Sequence, residues 1–245
     1  MTRIAVLTDT HANLPALQAA LDAIHCLGVD AIYHTGDAIG IGPYPAETLD
    51  LLLATPQVHL VMGNHDQWFA HGLPHPRPEW MSEGEAAHHQ WVHASLDPAL
   101  REVVATWPYF IEESFDDVLV AFTHYGLDES ETNWAPINPT PIPSDLDRLF
   151  ARHAATLVFY GHHHPASDRQ GRARYVNPGS LGCYSQPLAR FVILETEGRA
   201  YRLTAHAVPY DDADLFRTFE QRAVPERQFI YHAFFGGRFA SPGAL

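Results

Sequence analysis

The first strand-like segment of the sequence is Ile4-Ala5-Val6-Leu7-Thr8-Asp9-Thr10-His11, in which a short apolar run ends in polar side chains. Such a run is typical of a buried strand whose polar residues lie just past its carboxyl end. Four further runs end in the same manner: Ala31–Tyr33 before Asp37, Val58–Met62 before Asn64, Val118–Phe122 before His124, and Leu157–Tyr160 before His162 and His164. The sequence therefore predicts five strand ends that each carry a polar block.

A helix is predicted between the first two strands. Leu14, Leu17, Leu21 and Ile24 recur at helical spacing, and Gly28 follows them as a helix end. Alternation of strand and helix indicates an α/β protein. Residues at the carboxyl ends of strands in open α/β sheets face one crevice, so we expect the five blocks to converge on one site.

Composition narrows the class of protein. The 245 residues are 46% hydrophobic, which favours one main globular domain. A net charge of −14 argues against a stable complex with nucleic acid or an anionic membrane, because such proteins usually carry excess basic residues. The first strand begins close to Met1, no stretch of 18 apolar residues occurs, and the two cysteines suggest no disulfide framework. We therefore expect a cytoplasmic protein.

The main domain is predicted to cover residues 1–208, with two insertions. Residues 67–110 contain a proline-rich turn followed by a helical pattern. Residues 126–145 contain four prolines and little periodicity, so they are predicted to form a long loop on the substrate side of the site.

A C-terminal appendage is predicted for residues 209–245. It carries one predicted helix over residues 211–222, followed by an aromatic stretch over residues 229–235. Without adjacent basic clusters, those aromatic side chains are expected in a core or at a dimer contact rather than as a base-stacking platform. The sequence leaves homo-oligomerisation open.

The polar blocks have the chemistry of a metal site, because aspartate, asparagine and histidine are ligands for divalent transition metals. They also resemble the signature of calcineurin-like metallophosphoesterases: Asp9-x-His11, Gly36-Asp37, Gly63-Asn64-His65-Asp66, His124 and Gly161-His162-x-His164. This resemblance implies a four-layer α/β/β/α sandwich of two mixed sheets with flanking helices and a dimetal site at strand ends.

The resemblance also implies a ligand set. Asp9, His11 and His164 would hold one metal, Asn64, His124 and His162 would hold the other, and Asp37 would bridge both. Two divalent ions about 3.5–4 Å apart can clamp phosphoryl oxygens and lower the pKa of a bridging water. Manganese is the favoured metal, with iron, zinc and cobalt as alternatives, since these donors serve all four.

His65 is the predicted catalytic residue. Its neighbour Asn64 is already assigned as a ligand, and an imidazole suits the protonation or stabilisation of a leaving alkoxide. Asp66 is left out of the metal set, because it could equally cap the helix that follows it. His89 and His93 have the spacing of a metal pair on a helix, but no carboxylate block accompanies them, so no metal site is predicted there.

The class of phosphoester is less fixed than the metal chemistry. Protein Ser/Thr phosphatases of this superfamily usually carry Asp and Arg where this chain has Gly40 and Ile41. The stretch around Asp9 instead resembles compact bacterial and archaeal phosphodiesterases, some of whose relatives cleave dinucleoside polyphosphates. Asn13 lies in that stretch and the bulky Tyr125 follows a predicted ligand, so both are candidate substrate contacts.

The leading hypothesis is a phosphodiesterase that acts on small phosphodiesters or nucleotides by attack of a metal-bridging hydroxide. The same metals could support a phosphomonoesterase or a dinucleoside polyphosphate hydrolase. A third hypothesis is a metal-dependent nucleotide-binding regulator with weak catalysis. The presence of His65 argues against that hypothesis, because a binding protein has no need of a leaving-group acid.

Overall fold

The computed structural model describes residues 1–128 and 133–239. Its strands and helices, in chain order, are β1 (Thr2–Leu7), α1 (Leu14–Leu27), β2 (Ala31–His34), α2 (Pro45–Ala54), β3 (Val58–Leu60), α3 (Asn64–His71), α4 (Glu83–Ala94), α5 (Leu100–Val104), β4 (Phe110–Phe115), β5 (Val118–Thr123), α6 (Pro143–Leu149), β6 (Leu157–Phe159), β7 (Ser167–Gln170), β8 (Arg174–Asn177), β9 (Leu188–Glu197), β10 (Ala200–Pro209), α7 (Ala213–Gln221) and α8 (Arg227–Phe235).

Two mixed five-stranded sheets form the centre of the molecule, which confirms the predicted fold class. The first has the order β10-β9-β1-β2-β3, and the second has the order β4-β5-β6-β8-β7. Strands β1, β2 and β3 run parallel in the first sheet, as do β5, β6 and β8 in the second. Each sheet therefore has three adjacent parallel strands whose carboxyl ends point to one edge.

The alternation of side chains along β1 explains the layering. Ile4 and Val6 face a core shared with the second sheet, whereas Ala5 and Leu7 face a core shared with α1. Both faces of the strand are covered, so both sets of side chains are apolar. A third core packs α6 against the outer face of the second sheet, which completes four layers.

Helix α1 has the boundaries that its sequence predicts. The Asn13 side chain accepts a hydrogen bond from the amide of Ala16 at the start of the helix. Gly28 ends it in a left-handed conformation, with φ of 66°, which glycine adopts without a steric cost.

The structure contains elements that the sequence pattern did not predict. Strand β4 begins at Phe110, the last residue of the predicted helical insertion, and β7 was not predicted. Helix α6 begins at Pro143, inside the predicted 126–145 loop, of which residues 129–132 lie outside the described part. The aromatic stretch 229–235, to which no element was assigned from the sequence, belongs to a second C-terminal helix, α8.

The C-terminal helices pack against the main domain. Residues of α7 and α8, including Phe219 and Tyr231, share a core with Ile41 and Cys183 from the loops of the two sheets. The described part of residues 209–245 thus covers the edge where those loops lie, and residues 240–245 fall outside it. None of the described helices is long and apolar enough to cross a membrane.

Candidate active site

The polar blocks lie where the parallel strands end. Asp9, Asp37 and Asn64 follow β1, β2 and β3, while His124 follows β5 and His162 with His164 follows β6. Five loops from two sheets therefore meet at one edge of the sandwich.

The first group of donor atoms contains Asp9, His11, Asp37 and His164. The Nε2 atoms of His11 and His164 lie 3.0 Å apart. His11 Nε2 is 3.7 Å from Asp9 Oδ1 and 3.7 Å from Asp37 Oδ2. Asp9 Oδ1 is also 4.0 Å from His164 Nε2, so atoms of Asp9, His11 and His164 lie within 4.0 Å of one another, and Asp37 adjoins them at His11.

The second group contains Asp37, Asn64, His124 and His162. His124 Nε2 lies 3.3 Å from Asp37 Oδ2, 3.0 Å from Asn64 Oδ1 and 3.2 Å from His162 Nδ1. Asp37 Oδ2 is therefore common to both groups. This is the arrangement that a carboxylate bridging two ions requires.

The donor sets fit divalent metals. Nitrogen atoms of paired imidazoles face each other at 3.0 and 3.2 Å, with carboxylate oxygens beside them. His124 Nδ1 contacts the carbonyl oxygen of Thr35 at 2.8 Å, and His11 Nδ1 contacts that of Ile39 at 3.3 Å. Donation through Nδ1 would leave the Nε2 lone pair of each ring free for a metal.

The backbone of the site adopts uncommon conformations. Asp9, His11, Asp37 and His162 all have positive φ angles, between 48° and 67°. Left-handed conformations of residues other than glycine cost free energy and persist where the surrounding structure enforces them. At Gly63, a side chain would overlap the Asp37 amide, so the close approach of these two loops requires glycine.

Asp66 acts on the loop after β2. Its carboxylate accepts hydrogen bonds from the amides of Asp37 and Ala38 and from the amide of Gly63 at the start of α3. Burial and the neighbouring Asp37 carboxylate raise the pKa of Asp66 to about 7, against the lowering effect of these amide donors. Asp66 therefore positions Asp37, and it lies outside both donor groups.

His65 lies beside the shared carboxylate. Its amide donates to Asp37 Oδ1 at 2.9 Å, and its Nε2 is 3.9 Å from Asp37 Oδ2. Its Nδ1 is buried and has no hydrogen-bond partner among the described residues. That nitrogen faces Gly40, where a side chain would overlap the imidazole. Gly40 is the position at which Ser/Thr phosphatases usually carry an aspartate. It lies next to His65, the catalytic candidate, and a glycine there leaves the Nδ1 atom of His65 unpaired.

Electrostatics couple the two groups. Burial raises the pKa of Asp37, but the imidazoles of His124 and His65 outweigh it and hold that pKa well below its ordinary range. Burial lowers the pKa of His124, but the carboxylates of Asp37 and Asp9 outweigh it and raise that pKa to about 9. Buried negative charge at the shared carboxylate therefore attracts cations to this point.

Neither of the two candidate substrate contacts, Asn13 and Tyr125, is among the residues that line the large cavity over the site. Asn13 is fully buried, and besides capping α1 it donates to the carbonyl of Gly182 and the hydroxyl of Tyr210. The Tyr125 ring packs 5.0 Å from the ring of His162, and its hydroxyl accepts a hydrogen bond from the Asn138 amide. Their positions support roles in holding the loops rather than in touching substrate.

A cavity of about 630 Å³ opens over the shared carboxylate. Its base contains Asp37, Asn64, His65, His162 and His164. The remaining lining residues come from the segment around α4, from α8 and from two loops: Ile41, Trp80, Ser82, Glu85, His88, His89, Ile137, Glu226, Phe229, Ile230 and Phe234.

The sequence did not predict these remaining lining residues of the cavity. No metal site was predicted at His89 from the sequence, yet the ring centroids of His89 and His65 lie 5.0 Å apart. The aromatic side chains of residues 229–235 were expected in a core or at a dimer contact. Tyr231 and Phe235 lie in a core, whereas Phe229 and Phe234 line the cavity. The position of the insertion directly after the Gly63–Asp66 block was the signal that could have indicated a cavity wall.

Cys183 is a further unexpected neighbour of the site. Its buried thiol lies within 4.8 Å of donor nitrogens of both His11 and His164. Burial raises the pKa of this thiol well above its ordinary value. Cys26, the other cysteine, is exposed and lies on α1.

Fold and site define a metallophosphoesterase. A family model of the calcineurin-like phosphoesterase superfamily domain matches residues 2–199, and the chain belongs to this family. The predicted resemblance is thereby confirmed.

Relatives of the chain are found among archaea and bacteria. It is 24% identical over 239 residues to an uncharacterized protein, MJ0912, from Methanocaldococcus jannaschii, covering 91% of this chain and 94% of the relative. The crystal structure of hypothetical protein PH1004 from Pyrococcus horikoshii OT3 has a TM-score of 0.79 at 22% identity, covering 97% and 99% of the two chains. A metallophosphoesterase from Sphaerobacter thermophilus has a TM-score of 0.67 at 24% identity, covering 92% and 95%. These structures share the fold.

Proposed function

We propose that this protein is a dinuclear-metal-dependent phosphodiesterase that hydrolyses small phosphodiesters or nucleotides. The observation that carries the proposal is the pair of donor groups that share Asp37 Oδ2 at the base of a large cavity, with His65 left over beside them. Two divalent ions can polarise a phosphoryl group and activate water for in-line displacement.

The residues that would hold the ions follow from the two groups. Asp9, His11 and His164 would bind one ion, Asn64, His124 and His162 the other, and Asp37 both. Oxygen and imidazole donors serve manganese, iron, zinc and cobalt alike, and manganese is the metal proposed first.

His65 would act on the leaving oxygen. Burial lowers the pKa of this imidazole well below its usual value, although Asp37 opposes the effect. A neutral ring with its proton on Nε2 can donate a hydrogen bond to a developing alkoxide. The unpaired Nδ1 beside Gly40 is compatible with that tautomer. The sequence suggested that His65 either protonates or stabilises the leaving alkoxide, and the proposal here is that it stabilises it.

The shape of the cavity favours a diester over a monoester. Apolar side chains flank the donor groups both at His65 and at His164, since Trp68 lies 5.0 Å from the His65 ring and Phe234 lies 5.4 Å from the His164 ring. A phosphodiester has two organic groups to place, whereas a monoester has one.

A cytoplasmic location is part of the proposal, because both cysteines are free.

The proposal is tested by initial rates on bis-p-nitrophenyl phosphate and p-nitrophenyl phosphate, measured side by side with manganese-loaded protein. We expect hydrolysis of the diester to exceed that of the monoester and to vanish when a chelator removes the metal. A dominant monoesterase rate would overturn the diesterase assignment. Tight nucleotide binding with no turnover of either ester would instead support the regulator hypothesis.

A further inference from the structure

Large apolar side chains at the cavity are unusually exposed. Trp80 is 62% exposed, Phe229 is 55% exposed and Ile137 is 46% exposed, and all three line the cavity. Exposed apolar surface that gathers at one concave place commonly marks a binding site. The donor groups and His65 do not require these side chains, so they need a separate explanation.

One of them, Trp80, lines the cavity and stacks on Trp68, and these two side chains are here called the tryptophan wall. The two rings stack with centroids 6.0 Å apart, and the Trp68 ring lies 5.0 Å from His65. Because His65 is the proposed partner of the leaving oxygen, the group attached to that oxygen would lie along the tryptophan wall.

A phenylalanine wall, formed by Phe229 and Phe234 of α8, meets the site at a different residue. Phe234 lies 5.4 Å from His164, and Phe229 lies 6.4 Å from Phe234 in an edge-to-face arrangement. His11 separates the two places of contact, with its ring 5.0 Å from His65 and 4.9 Å from His164. The group retained on phosphorus would therefore lie along the phenylalanine wall.

The charge of the cavity lining limits which charged substituents the two organic groups of a phosphodiester can carry. Glu85 and Glu226 line the cavity, and no arginine does so among the described residues. The sequence has fifteen arginines and no lysine, and every arginine lies within the described ranges. Glu226 reaches across from the start of α8 to α4, where a side chain at Gly84 would overlap its carboxylate. A second phosphate in the cavity would meet carboxylates without a basic counter-charge.

We propose, building on the phosphodiesterase function, that the cavity selects singly charged phosphodiesters whose two organic groups are aromatic or otherwise apolar. The tryptophan wall receives the leaving group and the phenylalanine wall receives the retained group. Glu226 and Glu85 exclude substrates with additional anionic groups, dinucleoside polyphosphates among them. A polyphosphate chain carries several negative charges that the two metal ions alone would have to offset.

The test keeps p-nitrophenol as the leaving group and varies the retained group, so that differences report on the phenylalanine wall. The substrates are phenyl, methyl and 4-carboxyphenyl p-nitrophenyl phosphate. Burial of a phenyl group corresponds to about a tenfold gain in kcat/KM for the phenyl over the methyl ester. We expect Phe229→Ala to reduce that ratio about fivefold or more, whereas Phe110→Ala, an aromatic outside the cavity, leaves the ratio as in the wild type.

Two further variants test the other parts of the proposal. Trp80→Ala should lower kcat/KM on the phenyl and methyl esters by similar factors, because both share the leaving group. Glu226→Gln should raise the relative rate on the 4-carboxyphenyl ester, whereas Glu79→Gln, which removes an exposed carboxylate near Trp80, should not. An unchanged phenyl-to-methyl ratio in Phe229→Ala, or faster hydrolysis of diadenosine tetraphosphate than of the phenyl ester, would overturn the proposal.

A binding measurement separates this proposal from the phosphodiesterase assignment. Calorimetric titration of the manganese-loaded protein with diphenyl phosphate and dimethyl phosphate requires no turnover. Tighter binding of the diphenyl ester that weakens in Phe229→Ala supports the two walls even if no ester is hydrolysed. Equal affinity for both esters contradicts them, whatever the rates are.

Discussion

Asp37 links more of the site than any other single side chain described above. Its Oδ2 lies 3.7 Å from His11 and 3.3 Å from His124, while its Oδ1 accepts from the amide of His65. Asp66 holds the same loop through the Asp37 and Ala38 amides. The Asp66 carboxylate thus fixes the loop that carries Asp37, the proposed bridging ligand. His65 is the neighbouring side chain to which we assign the catalytic role.

His65→Ala should separate catalysis from metal binding. We expect kcat on bis-p-nitrophenyl phosphate to fall by about 10²–10³, because a group that acts on the leaving oxygen typically contributes this much. The content of bound metal should not change. His71→Ala, which removes an exposed histidine from the same helix, is the matched control. Full activity of His65→Ala would remove the proposed role.

At the scale of elements, α8 has two faces with different tasks. Phe235 is 1% exposed and packs against Phe216 and Phe219 of α7, whereas Phe229 and Phe234 turn to the cavity. One side of α8 therefore stabilises the C-terminal segment, and the other side forms one wall of the cavity.

A matched pair of variants in α8 distinguishes these tasks. Phe235→Ala should lower the free energy of unfolding by about 3–5 kcal/mol, because it leaves a void in a closed core. Phe229→Ala should cost less than about 1 kcal/mol, since half of its side chain is already exposed. Chemical denaturation of both variants measures the difference. Equal losses in the two variants would contradict the two-faced helix.

The sequence predicted the elements that carry the polar blocks, and the reason is local. β1, β2, β5 and β6 are short apolar runs that end at a polar residue, and α1 has both a helical repeat and a glycine end. The clustering of their blocks follows from parallel pairing, which is a general rule of such sheets. For these parts, pattern and topology agree.

The walls of the cavity could not be predicted in this way. α8 is rich in aromatic residues on more than one side, so its pattern did not separate core from surface. The approach of Glu226 to Gly84 depends on tertiary packing between helices distant in sequence. Asn13 and Tyr125, in turn, adjoin the signature, but their side chains are held by contacts behind it.

At the scale of the whole molecule, buried neutral histidines make stability depend on pH. His34 is fully buried, with Nδ1 accepting from the Gly36 amide and Nε2 2.8 Å from the Thr10 hydroxyl oxygen. Burial lowers its pKa to about 4. A histidine whose folded-state pKa is below the unfolded value contributes stability above pH 6.5, and that stability is lost as pH falls toward 4.

The metal-free protein should therefore lose stability as pH falls from 6.5 to 4. The part due to His34 is on the order of 3 kcal/mol. Urea unfolding at several pH values measures the loss, and His34→Gln should show a smaller one. The raised pKa of Asp66 acts in the opposite direction, so the comparison with His34→Gln isolates the histidine. A free energy of unfolding that stays constant or rises as pH falls from 6.5 to 4 would contradict the proposed effect of the buried histidines.

Two donor groups that share Asp37 predict that one chain binds two metal ions. Equilibrium dialysis of metal-free protein against manganese, followed by elemental analysis, measures this directly. We expect two ions per chain in the wild type, and fewer in His124→Ala and in His11→Ala, because each variant removes a donor from one group. At most one ion per chain in the wild type, or two ions retained with unchanged affinity in both variants, would contradict the dinuclear site.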